Sequence, residues 1–235
     1  MESITRRDFV RNSVVAGATV ATTTGRSSAS ETTPAGDGIK ILAISCSPRK
    51  GKTTAASLGA ALQAAREVGD RIETQLIELA DYTIHGNLAA GVPLPEGDKD
   101  DFAKLVPMLS DPTVGGIIIG TPVYFGTMSS LCKAFLDRCI VLWQDGFALS
   151  GKVAGVVAVG GARNGGQEVT IQSVQVSLFC QEMILVGNGR PGPRLGGTVW
   201  SGAEGGVLED KYGIATAKAL GRRVAEVAMR LTTVN

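Results

Sequence analysis

The segment Ser45-Cys46-Ser47-Pro48-Arg49-Lys50-Gly51-Lys52-Thr53-Thr54 lies between an apolar run, Ile39 to Ile44, and a stretch with helical periodicity. A strand-to-helix turn gathers backbone N–H groups and a helix N-terminus at one point, which is what a dianionic phosphate requires. Here the side chains add the hydroxyls of Ser45, Ser47, Thr53 and Thr54 and the cations of Arg49, Lys50 and Lys52. Gly51, Lys52 and Thr53 satisfy the end of the triphosphate pattern G-x-x-x-x-G-K-[ST], but Cys46 stands where the first glycine belongs. Two readings follow. One is a triphosphate-hydrolase loop that lacks a glycine; the other is a monophosphate cradle, which relies on hydroxyls and needs no magnesium. An ordinary turn with Thr53 or Thr54 capping a helix would not call for three cations together.

Further short apolar runs recur at Ile72 to Leu79, Gly116 to Ile119, Val153 to Val159 and Met183 to Val186. Each has strand length, and several lack polar alternation, as strands buried on both faces of a parallel sheet do. Helical spacing fills the gaps: Leu58, Leu62 and Ala65; Phe102, Leu105, Val106 and Leu109, with Pro107 expected to kink or shorten the helix; Leu131, Phe135, Cys139 and Leu142; Ile171, Val174 and Leu178; Leu220, Val224, Val227 and Leu231. Alternating strands and helices predict an α/β, doubly wound, five-stranded parallel sheet of order 2-1-3-4-5 in a three-layer sandwich. Ligands of such sheets sit beyond the carboxyl ends of the strands, so the loops after strands 1, 3 and 4 should converge.

Neither strand 3 nor strand 4 ends in an acid that could hold magnesium, which weakens the hydrolase reading. The second loop, Pro122-Val123-Tyr124-Phe125-Gly126, places aromatic rings and free backbone groups where a flat ring system could lie. The third, Gly160 to Glu168, has four glycines in its first seven residues and adds Arg163 and Asn164 as donors.

Ser47-Pro48-Arg49-Lys50 with Thr54, Pro122 to Gly126 running into Lys133-Ala134-Phe135-Leu136-Asp137-Arg138, and Gly161 to Glu168 together resemble the NADPH-dependent FMN reductase and iron-sulfur flavoprotein family of flavodoxin-like proteins. The resemblance spans residues 39–235. It implies an FMN whose phosphate meets Ser45, Ser47, Arg49, Lys52, Thr53 and Thr54. The ring would lie among Pro122, Val123, Tyr124, Phe125, Gly126, Gly161, Arg163, Asn164 and Gly165, with Arg163 a candidate for positive charge near N1. It also implies NADPH or NADH as co-substrate, a small-molecule electron acceptor, and a homodimer or homotetramer; no residue is expected to act as a catalytic acid or base. The iron-sulfur branch binds its cluster through closely spaced cysteines after the second strand, and residues 81–98 of this chain contain none. The four cysteines, Cys46, Cys132, Cys139 and Cys180, are scattered and His85 is the sole histidine, so no metal site is expected.

Ahead of this domain, Arg6-Arg7-Asp8-Phe9 and the charge-free stretch Ser13 to Ala21 resemble a twin-arginine export signal over residues 1–30, followed by a linker at 31–38. The expected destination is the periplasm or the exterior. The apolar stretch is too short for a membrane anchor. Setting aside the first 30 residues leaves 19 of the 23 basic and 20 of the 22 acidic residues. A near-neutral body argues against nucleic-acid and anionic-membrane partners. Residues 189–209, with seven glycines and Trp200, read as a long loop bordering the substrate face.

Overall fold

The computed structural model describes residues 38–232, so the proposed export signal lies outside the described residues. Strand β1 (Ile39–Ser45) pairs in parallel with β2 (Ile72–Glu78) on one side and β3 (Val114–Pro122) on the other; β4 (Val153–Gly160) lies beyond β3. The order is β2-β1-β3-β4-β5, as the crossover argument predicts. β4 is buried at every position and β3 at all but one, which explains their unbroken apolar runs. β2, at the sheet edge, is buried only at Ile72 and Ile77.

The fifth position departs from expectation. It is filled by two strands, β5 (Ile184–Leu185) against Val153 and Ala154, and β6 (Gly197–Trp200) against Val157 to Gly160. Residues 186–196 leave the sheet between them. Trp200 therefore ends a strand and does not ride on a free loop.

Helices α1 (Thr53–Arg66) and α6 (Lys211–Thr232) cover one face, burying Leu58, Leu62, Leu220 and Val224 against Ile41, Ile118 and Val157. On the other face lie α2 (Val106–Ser110), α3 (Ser130–Arg138), α4 (Ile140–Gln144) and α5 (Gln167–Phe179). Two expected helices are broken. Phe102–Lys104 forms a separate 3-10 turn before α2, whose first turn takes Pro107, and the Leu131 to Leu142 stripe divides at Cys139. Among the described residues no helix is long and apolar enough to cross a membrane.

Candidate functional site

The three loops predicted to converge do meet. Cys46 donates its amide to the Gly120 carbonyl at 2.7 Å, and its own carbonyl accepts the Ser129 hydroxyl at 2.7 Å. Ser129 also caps α3 through the Cys132 amide, while its own amide reaches the Thr121 hydroxyl. This buried hydroxyl thus ties the first loop to the second. The second meets the third at Gly166, whose φ is +95° and where an added Cβ would stand 3.1 Å from the Gly126 Cα. Only glycine holds that backbone and that approach together.

The first loop is arranged around an uncapped helix. Lys52 occupies the N-cap of α1 with no side-chain cap, and the first turn carries no acid, so the positive end of the helix is open. Arg49 and Lys52 are exposed beside it, with Thr53 half-buried. Lys50 is committed elsewhere, to Asp81 at 2.7 Å. Ser47 is buried and closes the turn, accepting the Arg49 amide and donating to the Arg49 carbonyl. Ser45 and Thr54, expected among the phosphate ligands, are fully buried beneath the loop; the Ser45 hydroxyl has no hydrogen-bond partner among the described residues. Glu78, at the end of β2, accepts the Gly51 amide at 2.8 Å. A backbone donor that a triphosphate loop would aim at its ligand is thereby held by a carboxylate. Open donors in this number suit a single phosphate.

The second loop is a two-residue hairpin in which Tyr124 and Thr127 exchange both hydrogen bonds, at 2.9 and 3.1 Å. Phe125 has φ +50° and is fully exposed, and Tyr124 is 42% exposed, so neither is a core residue. Pro122 is buried in β3, and Val123 donates its amide to Val159.

The third loop is fastened by side chains that sequence reasoning left without a role. Buried Gln167 accepts the Gly165 amide at 2.9 Å and donates to the Ala162 carbonyl at 2.6 Å. Arg163 is not a free charge: its guanidinium donates to Asp210 at 2.6 Å and lies 5.0 Å from the Trp200 ring centroid. Asp210, whose side chain is fully buried, also accepts the amides of Trp200 and Gly213 at 2.7 and 3.1 Å. Burial would raise its pKa, but the Arg163 guanidinium and the two amides outweigh it and hold the carboxyl below its ordinary value. Gly161 accepts the Trp200 indole N–H, and Asn164 is exposed. Ser129 and Asp210 each stand at a helix N-cap, a position that capping rules can identify.

Residues 39–191 match the NADPH-dependent FMN reductase family. The chain belongs to that family. It is 40% identical over 192 residues to an iron-sulfur flavoprotein of Methanocaldococcus jannaschii, covering 80% of this chain and 97% of that one. It is 34% identical over 152 residues to an NAD(P)H dehydrogenase (quinone) of Acidithiobacillus ferrooxidans, covering 58% and 70%. The flavodoxin, WrbA-like protein from Agrobacterium tumefaciens shares the fold with a TM-score of 0.56 at 20% identity over 82% of this chain and 98% of its own. FMN and NAD(P)H are the cofactor and co-substrate of the family, and the open helix end and the exposed cations fit the FMN phosphate.

An iron-sulfur cluster does not fit. Residues 79–105 hold no cysteine, and that segment is fastened by Arg138, which donates to Asp100 at 2.7 Å and to the His85 carbonyl and lies 5.0 Å from the Phe102 centroid. Cys46, Cys132 and Cys139 are buried in the core. Burial, with the neighbouring thiols, pushes Cys46 well above its ordinary pKa and Cys139 up to about 12, so both are packing thiols and Cys46 is not activated by the helix end. Among the described residues no group of three or more His, Cys, Asp or Glu is placed to hold a metal ion.

Proposed function

We propose that this protein is an NAD(P)H-dependent FMN oxidoreductase of the flavin or quinone reductase type, which passes electrons to a second small acceptor. The observation that carries the reading is the junction of three loops beyond β1, β3 and β4, where Ser129 ties the first loop to the second, Gly166 packs against Gly126, and the first loop carries an open helix end with Arg49 and Lys52. When bound, FMN supplies the hydride and electron chemistry. The chain's residues bind and orient. Arg49, Lys52, Thr53 and the α1 N-terminus hold the phosphate, while the Val123 to Gly126 and Gly161 to Gly166 backbones frame the ring. Anaerobic addition of NADPH or NADH to the FMN-loaded protein is expected to bleach its yellow colour, with recovery on adding a quinone or free flavin. Colour that persists through both additions would refute the reading. A second reading, a flavodoxin-like electron carrier that does not itself oxidise nicotinamide, would be favoured by an FMN-loaded protein that NADPH and NADH bleach only slowly.

We also propose that a second copy covers the outer face of α5, where Val169, Val176 and Phe179 are exposed. Light scattering should give a dimer or tetramer; a monomer at micromolar concentration would count against it. Export by the twin-arginine route remains our proposal for residues 1–30. Mass spectrometry of the mature protein from the exported fraction should find those residues removed.

A further inference from the structure

The third loop and the start of α5 border a cleft of about 480 Å³ that reaches Thr198 and Trp200 of β6. That volume lies in the range of small-molecule sites. One wall is the third loop and the start of α5; the other is formed by Arg194, Trp200 and Tyr212.

The cleft contains a rigid flat plate. Trp200 is fixed by its backbone amide on Asp210 and its ring by the indole N–H on Gly161, and Arg163 lies over that ring. Asp210 pins that guanidinium, whose side chain is nevertheless 47% exposed. A guanidinium stacked on an indole can accept a further planar ring on its open face.

Beside the plate stands an unneutralised cation. Arg194 donates from Nη1 to the Pro193 carbonyl at 3.0 Å and from Nη2 to the Tyr212 hydroxyl at 3.1 Å, both uncharged partners. Because the Tyr212 oxygen accepts there, its own proton is left to donate. Arg194 and Tyr212 thus present a charged and a neutral donor side by side. Among the described residues Glu168 is the only acid bordering the cleft, and it lies in the first turn of α5, where the helix dipole offsets it.

We propose that this cleft binds a flat aromatic acid, with its ring layered on Arg163 and its carboxylate held by Arg194 and Tyr212. The inference does not depend on nicotinamide oxidation. The test is calorimetric titration of the FMN-loaded protein with 1-hydroxy-2-naphthoate, using 1-naphthol and cyclohexanecarboxylate as the uncharged and non-planar comparisons. One site per chain with a dissociation constant below about 1 mM is expected, and both comparisons should bind at least ~10-fold more weakly. Arg194→Gln and Tyr212→Phe, both at exposed positions, should each weaken the naphthoate roughly 10-fold while FMN content stays the same. Absence of binding, equal binding by both variants, or displacement of the naphthoate by NADPH would overturn the proposal, the last because it would place the acid in the co-substrate's site.

Discussion

The loops after β1 and β4 are both rich in donors, yet they use them in opposite ways. In the first, Arg49 and Lys52 extend into solvent beside a helix end that no side chain caps. In the third, Arg163 is bound by Asp210, Gly161 accepts from Trp200, and the Gly165 amide is taken by Gln167. The first loop leaves two cations open to a ligand, whereas the third commits Arg163 and the Gly165 amide to holding a shape. A residue list cannot separate these cases, since whether a donor is open depends on partners far away in sequence. Asp210 is 47 residues from Arg163.

That contrast can be broken by substitution. The largest effect is expected from Arg49→Ala combined with Lys52→Ala, which removes open donors: FMN affinity should fall about 100-fold or more, by flavin fluorescence titration, with little change in the urea midpoint. Asp210→Ala should act in the reverse sense. It leaves a guanidinium and two amides unpaired, and should cost about 2–4 kcal/mol of stability in urea denaturation with a smaller effect on FMN affinity.

The same carboxyl predicts a pH dependence. Its pKa is lower folded than unfolded, so its contribution is present above the ordinary carboxylate value and is lost as pH falls through the folded value. The stability gap between the parent protein and Asp210→Asn should therefore narrow below about pH 4. A gap that stays constant to pH 3 would show that the Arg163 pairing does not stabilise the fold. The smallest effect is expected from Gly166→Ala, where strain at positive φ and crowding against Gly126 should weaken FMN roughly 10-fold. Unchanged affinity would mean that loops 2 and 3 need not touch.

Most of the sheet was legible in the sequence because β1, β3 and β4 are buried on both faces and read as unbroken apolar runs. β6 was not. Gly197-Thr198-Val199-Trp200 is short, lies among glycines, and becomes a strand only through pairing with Val157 to Gly160, some 40 residues away. The break at Cys139 was also hidden, since its apolar stripe continues into α4. At the site, the residue types and their loops were readable, and so was the absence of cluster cysteines. Ser45 and Thr54 were misplaced because alternation along β1 and the first turn of α1 carry both hydroxyls under the loop. Arg163 was read as a ligand cation because its partner lies at the start of α6.

The central claim is that the loop after β1 cradles a single phosphate. Parallel titrations of the apoprotein with FMN, riboflavin and magnesium-ATP test it most directly. FMN is expected to bind at least ~100-fold more tightly than riboflavin, with no saturable magnesium-ATP binding at millimolar concentration. Equal affinities for FMN and riboflavin, or saturable magnesium-ATP binding displaced by FMN, would contradict the account.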